Sequence, residues 1–359
     1  MQAGVPASAA ELIGQQVGKY RITKYLGEGG MAQVFIADHV DASIARQVAI
    51  KVVLRELCQN QQIVQRFINE AKALGRITHP GVVDVFDVTQ TADGRVCLIM
   101  ELLKGTTLFD WLHQRGGMSV AEAVPIMLQL ADTFAAAHEQ KIIHRDIKPD
   151  NIYLVPDTLG GQRIKVLDFG IAKLLEGAGQ VVTATKSMMG TAAYMPPEQF
   201  RSSKYVDHRS DIYALGCVFF EMMSGQPPFG GKTLAEHMHS HNFTPAPTLR
   251  SVVPGAPEAL EQVIIQMLAK DPDHRHQSMR ELVQALQSVG RAEASIAGPM
   301  SAPLPAQPQP QPAVATPASN TATHTPTSPA TSPGGNTTLF AIAAVVVVVA
   351  GCAAAVALL

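Results

Sequence analysis

The stretch "HRDIKPDN", residues 144–151, places a histidine, an arginine, two acids, a lysine, a proline and an asparagine in eight consecutive positions. A core has no use for that density of polar groups, since each buried charge or amide needs a partner of its own. The stretch reads as a loop built for chemistry, with an acid at Asp146, a cation at Lys148 and an amide at Asn151.

The neighbouring segments indicate which chemistry. In "KVLDFGIAK" Asp168 ends an apolar strand pattern, where a carboxylate is placed to bind a hard divalent cation, and Asn151 offers a second oxygen ligand. Magnesium suits such a pair. Asp146 is then left to accept a proton from an attacking hydroxyl, and Lys148 to neutralise charge on a phosphoryl group in transit. Upstream, "LGEGGMAQV" (Leu26 to Val34) lies between two strand patterns, and its glycines let a phosphate approach the backbone. A glycine-rich hairpin is more often simply a turn, and this one lacks the GxxxxGK[ST] pattern. "VAIK" sets Lys51 inside an apolar strand, where it needs a partner, and Glu70 on a following amphipathic helix is the candidate. Two unrelated surface side chains would fit those two positions equally well.

Periodicity supplies the architecture. From Gln15 to about Leu54 apolar and polar residues alternate around glycines, the pattern of antiparallel strands. A helix carrying Ile63, Phe67, Ala71 and Leu74 on one face follows, and then more strand pattern through "VCLIMELL". From "SVAEAVPIMLQLADTFAAAHEQ" onward the long segments are helical, opened by Ser119 and Glu122 at capping-box spacing. The expected class is α+β, with a small β-rich lobe before a larger helical one. The boundaries are set at 1–17 for an N-terminal tail and 18–291 for the folded region, divided near 102.

Taken together these segments resemble the eukaryotic-type serine/threonine protein kinases, and most closely their membrane-attached bacterial members. The match runs from about Tyr20 to Leu286, with its elements in the family's order. The resemblance implies a two-lobed kinase fold and ATP with Mg²⁺ or Mn²⁺ as cofactors. It makes Leu26, Gly27, Glu28, Gly29, Gly30, Met31, Ala32, Gln33 and Val34 the glycine-rich loop over the phosphates, and Lys51 the phosphate-binding lysine paired with Glu70. Asp146 and Lys148 are the implied catalytic pair, Asn151 and Asp168 the metal ligands. The hinge through Met100, Glu101 and Leu103 would hold adenine, with Ala49 above and Tyr153 below, although Met100, Val34 and Ala49 would serve equally as plain core. Glu198 and Arg275 match the pair that closes the activation segment, and Asp211 the acid that braces the catalytic loop. Three positions depart from the pattern: Ala32 replaces the third glycine, "PPE" at Pro196 to Glu198 replaces APE, and Tyr153 stands where an aliphatic floor is usual. Lys148 and Thr191 point to serine or threonine acceptors. Arg145 implies pairing with a phosphorylated activation segment, for which Thr183, Thr185 and Ser187 are the candidate phosphosites, made by trans-autophosphorylation in a homodimer.

Composition narrows the remaining choices. The 359 residues hold 28 Lys plus Arg against 30 Asp plus Glu, a net charge of -2, so no strong field draws the chain to nucleic acid. Four scattered cysteines give neither a disulfide framework nor a zinc site, and residues 1–17 carry no apolar run behind a basic start, so a secretory leader is not expected. Residues 292–338 are rich in Pro, Ala, Ser and Thr and read as a disordered linker. Leu339 to Leu359 is apolar throughout; as a helix rising about 1.5 Å per residue it would extend roughly 31 Å, near the ~30 Å of a bilayer core. The expectation is a single membrane span with the kinase domain on the cytosolic side, near protein substrates bearing Ser or Thr. Two other classes compete: a pseudokinase scaffold, against which Lys51, Asp146 and Asp168 all stand, and a small-molecule kinase, against which Glu198 and Arg275 stand.

Overall fold

The computed structural model describes residues 5–157, 160–169, 190–202 and 205–296, with the backbone alone at 62, 63, 66, 70, 73 and 290–296. After a short helix α1 (Ala7–Ala10) come the strands β1 (Gln16–Val17), β2 (Tyr20–Glu28), β3 (Ala32–His39) and β4 (Gln47–Val53). Helices α2 (Arg55–Cys58) and α3 (Gln61–Leu74) precede β5 (Val85–Gln90) and β6 (Val96–Glu101). The six strands form one antiparallel sheet in the order β1-β2-β3-β4-β6-β5.

Period-two alternation divides β4 between two cores. Val48, Ile50 and Val52 join Phe35, Ala37, Cys97 and Ile99 on one face. Ala49 and Val53 join Val34, Met100 and the α3 residues Phe67 and Ala71 on the other. Lys51 shares the parity of Ala49 and Val53 and so faces α3. The sequence reading set residues 1–17 apart as a tail, but residues 5–17 belong to this lobe. Ala9 and Leu12 are wholly buried among Ile22, Phe35 and Val48, because the outer face of the sheet is apolar and would otherwise be open to water.

Past the hinge, β7 (Thr106–Thr107), α4 (Leu108–Arg115) and α5 (Val120–Glu139) begin the second lobe. A 3₁₀ turn at Pro149–Asn151 leads into β8 (Ile152–Pro156) and β9 (Gln162–Val166), which form a three-stranded sheet with β7. The remaining elements are α6 (Pro197–Arg201), α7 (His208–Ser224), α8 (Leu234–Phe243), α9 (Leu249–Val252), α10 (Glu258–Met267) and α11 (Met279–Ile296). Glu122 caps the start of α5 by accepting from Ser119 N at 3.0 Å, as its spacing predicts.

The second lobe is built around α7, in which every residue from Ser210 to Met223 is buried, a helix enclosed on all sides. Its polar side chains are therefore costly unless partnered. Ser210, Asp211, Tyr213 and Glu221 all have partners, and three of them support the candidate site. Close approach behind the hinge needs a glycine at 105, where a Cβ would stand 2.1 Å from the Leu154 carbonyl oxygen. Among the described residues α5 is the one helix long and apolar enough to cross a membrane, and half of it is buried in the lobe. The linker and the proposed span at 339–359 lie outside the described residues.

Candidate active site

Residues 144–151 form a loop between α5 and β8, shaped by a buried carboxylate. Asp211, 1% exposed, accepts Oδ2···N from His144 at 2.9 Å, Oδ1···N from Arg145 at 3.0 Å and Oδ2···Nε2 from His138 at 2.8 Å. Burial alone would raise this carboxyl, but the bonds from His138 and from the His144 amide hold it below the ordinary range. Arg145 sits at φ 64°, a left-handed conformation disfavoured in a non-glycine residue, and the paired amides hold it there. His144 is wholly buried; its Nδ1 accepts from Asp146 N at 3.2 Å, so its Nε2 carries the proton to Leu167 O at 2.9 Å. Burial lowers its pKa, in keeping with a neutral ring.

This scaffold presents Asp146. Its Oδ2 is 3.3 Å from Lys148 Nζ and 3.2 Å from Asn151 Nδ2. Lys148 also donates to Thr191 Oγ1 at 3.0 Å. Asn151 Nδ2 donates a second bond to Asp146 O at 2.8 Å, so both amide hydrogens are engaged and the amide oxygen is the atom left to ligate a cation. Asp168, at φ 52° just past β9, is the other oxygen donor. Oxygen donors of this kind suit a magnesium-like ion. Among the described residues no three His, Cys, Asp or Glu side chains gather as a metal site, so a cation here would complete its shell with phosphate and water.

The nucleotide side is arranged around Lys51. It pairs with Asp168, Nζ to Oδ1 at 2.5 Å, and the side chain of its expected partner Glu70 lies outside the described residues. Dehydration would raise the Asp168 carboxyl, but the Lys51 ammonium lowers it more. A lysine set in an apolar strand needs an anion, and the Asp168 carboxylate facing it supplies one. Val34, Ala49 and Met100 lie in one apolar cluster with Leu26 and Met31 packed against it, the expected adenine-side surface. Gly29 N donates to Ala32 O at 2.8 Å and closes the hairpin between Gly27 and Gly30. Ala32 opens β3 with ordinary strand backbone, which makes a glycine unnecessary there. At the hinge, the Glu101 side chain is committed to Lys165 and to Asp84 N, whereas Leu103, 7% exposed, makes no backbone hydrogen bond among the described residues.

Tyr153 needs correcting. It is 0% exposed and presents no surface to a nucleotide in this structure. Its phenol lies in the field of Asp110, and burial with that charge raises its pKa to about 12.

Two further anchors hold the acceptor side. Glu198 takes a bidentate bond from Arg275 at 2.8 and 2.9 Å and a third from Ser210 Oγ at 2.6 Å, which outweigh burial and lower its pKa. Tyr194 OH donates to Glu221 Oε2 at 2.6 Å. Sequence reasoning passed over His138, Tyr194 and Glu221; His138 and Asp211 stand 73 positions apart, and nothing local marks either as the other's partner. The candidate phosphosites Thr183, Thr185 and Ser187 and the glycine after Phe169 lie outside the described residues.

A glycine-rich hairpin, a strand lysine facing a turn aspartate, and an acid–lysine–asparagine loop are the parts of a protein kinase fold. Residues 20–286 match the protein kinase domain model, and the chain belongs to that family. It is 40% identical over 276 residues to the serine/threonine-protein kinase Pkn1 of Myxococcus xanthus, covering 77% of this chain and 39% of that protein. It is 36% identical over 272 residues to PrkC of Bacillus subtilis, covering 76% and 40%. The chain thus spans about two fifths of the length of the curated relatives it matches. Among solved structures, a double mutant of the Mycobacterium tuberculosis PknI kinase domain aligns with a TM-score of 0.61 at 25% identity, over 79% of this chain and 98% of that one.

Glu221 provides a test of the acceptor side. Burial, with the charge of Asp150, raises its carboxyl from 4.5 to about 7. A raised carboxyl contributes stability that is complete below pH 4.5 and is lost as pH rises through 7. Glu221→Gln keeps the shape and the acceptor for Tyr194 but cannot ionise. Denaturant midpoints taken across pH 4.5 to 7 should therefore show a flatter profile for the variant than for the parent; identical profiles would show that Glu221 titrates normally.

Proposed function

We propose that this chain is an ATP-dependent serine/threonine protein kinase that transfers the γ-phosphoryl group to protein hydroxyls. The arrangement around Asp146 carries the reading. With Lys148 and Asn151 both on Oδ2, Oδ1 is left to accept the proton of an incoming hydroxyl. The hydroxyl oxygen attacks the γ-phosphorus as the bond to the ADP oxygen breaks, and Lys148 stands beside the acid to stabilise charge on the phosphoryl group in transit. Asp168 and Asn151 would hold Mg²⁺ or Mn²⁺, which when bound neutralises phosphate charge. Lys51, once released from Asp168, is the cation for the nucleotide phosphates.

Asp146→Asn and Lys51→Met should each leave a folded protein whose transfer of labelled phosphate to a generic substrate falls by about 10²-fold or more. Near-normal transfer by Asp146→Asn would remove Asp146 as the proton acceptor, and a parent chain that transfers no phosphate would remove the kinase reading and leave the scaffold alternative.

The proposal includes regulation by trans-autophosphorylation between two copies. Among the described residues Arg145 forms no ion pair, and its backbone is held beside the catalytic acid, so its guanidinium is a cation available to a phosphorylated segment. Phosphosite mapping after incubation with ATP should find phosphate on Thr183, Thr185 or Ser187, and alanine at both threonines should lower activity toward an added substrate. Unchanged activity would remove the switch.

It also includes a membrane anchor at 339–359, supported by that segment's length and wholly apolar character. The full chain should sediment with membranes and resist salt extraction, and a form ending at Arg291 should stay soluble and still transfer phosphate. A full chain soluble without detergent would refute the anchor and leave the kinase reading intact.

A further inference from the structure

The N-terminal segment makes contacts beyond its share of the core. Gln33, on β3, is 1% exposed, and its amide nitrogen donates to Ser8 Oγ at 2.9 Å and to Glu28 Oε2 at 2.8 Å. Both hydrogens of that nitrogen are thereby used. Glu28 and Gln33 face each other across the hairpin, and Glu28 lies between Gly27 and Gly29 in the glycine-rich loop. A hydroxyl 25 residues away is thus joined through one buried amide to the loop that would cover the phosphates.

The segment carrying Ser8 is itself fixed. Ala9 and Leu12 are wholly buried, Gly14 N donates to Ile22 O at 2.8 Å, and Ile22 N donates to Gln15 O at 2.9 Å. A second contact reaches the other element bordering the cleft: Glu11 lies 4.0 Å from Arg55 in α2, which is bonded in turn to Asp93 at 2.6 Å. Leu54 N, just before α2, donates to Met31 O at the hairpin's tip at 2.9 Å. The hairpin is therefore held from two sides, by the N-terminal segment through Gln33 and by the approach to α3 through Met31.

We infer that residues 5–17 form a built-in strap for the nucleotide site, in which Ser8 acts through Gln33 as a positioning residue for the glycine-rich loop. The inference rests on the reading of that loop as nucleotide-binding. Removing the Ser8 hydroxyl leaves a buried N–H without its acceptor, which costs more than the bond alone contributes. The Gln33 amide can recover a partner only by turning, and Glu28 moves with it. A looser loop must then be ordered by the nucleotide on binding, which weakens affinity and leaves the chemistry around Asp146, in the other lobe, unaffected.

The test compares the full chain in detergent with its Ser8→Ala and Ser8→Thr variants, because Ser8 is exposed and its truncation opens no cavity. Loss of one hydrogen bond corresponds to a rise in the KM for ATP of about threefold to tenfold for Ser8→Ala, with kcat within about twofold although the melting temperature falls somewhat. Ser8→Thr, which retains a hydroxyl, should restore the parental KM. Equilibrium binding of a non-hydrolysable ATP analogue should follow the same order, and it separates the strap from the kinase reading: a parent that binds nucleotide but transfers no phosphate defeats the kinase reading only. Analogue affinity and KM unchanged in Ser8→Ala, or a melting temperature and kcat that fall together, would overturn the strap.

Discussion

The candidate site depends on one buried carboxylate. Asp211 gives its two oxygens to the backbone amides of His144 and Arg145 and to the His138 ring, and these bonds hold the peptide in a shape that Arg145 would not adopt alone. A buried carboxylate is tolerable only when its lone pairs are filled, and strained backbone persists only when its surroundings over-determine it. Each condition meets the other here. The charge needs donors, and the strained loop turns two amides inward to supply them. Asp146, the next residue along, is aimed as a consequence.

Much of this was legible in the sequence because the groups that do chemistry are crowded into short polar stretches within apolar surroundings. Asp146, Lys148 and Asn151 fall inside eight residues, and the structure brings them within hydrogen-bonding reach of one another. Alternation along β4 placed Lys51 on an inward face, and the capping spacing placed the start of α5. What could not be read were partnerships between distant positions with no shared period. His138 and Asp211 are one such pair, Tyr194 and Glu221 another, and Ser8 with Gln33 a third. The supposed tail was misread over residues 5–17 for a related reason: nothing local shows that Ala9 and Leu12 have the apolar outer face of a distant sheet to cover.

The Lys51 contact shows why pairing is harder to infer than position. A strand lysine in an apolar setting must find an anion, and two carboxylates are within the topology's reach. Asp168 takes that place at 2.5 Å, and the charge of Lys148 acts on the same carboxylate. Asp168 keeps 38% of its side chain exposed, so the contact remains open to exchange with solvent, metal and nucleotide.

The acceptor side is built on the opposite principle. The Arg275 side chain is wholly buried, and all five of its N–H donors are used: one on Ala269 O, two on Glu198, and one each on Arg209 O and Lys270 O. Its guanidinium also lies 4.8 Å over the Tyr213 ring. With no donor left over and no water to compete, this pair has no alternative arrangement of similar energy, in contrast to Lys51 and Asp168. Glu198 is tied through Ser210 to the start of α7, the helix that also carries Asp211 and Glu221 and through Glu221 holds Tyr194. The groups that would receive the hydroxyl are held by a saturated, buried network, and those that would meet the nucleotide by half-exposed contacts. A two-lobed enzyme that must admit and release a charged nucleotide needs that asymmetry, since only the exchangeable side has to re-form its ion pairs in each cycle.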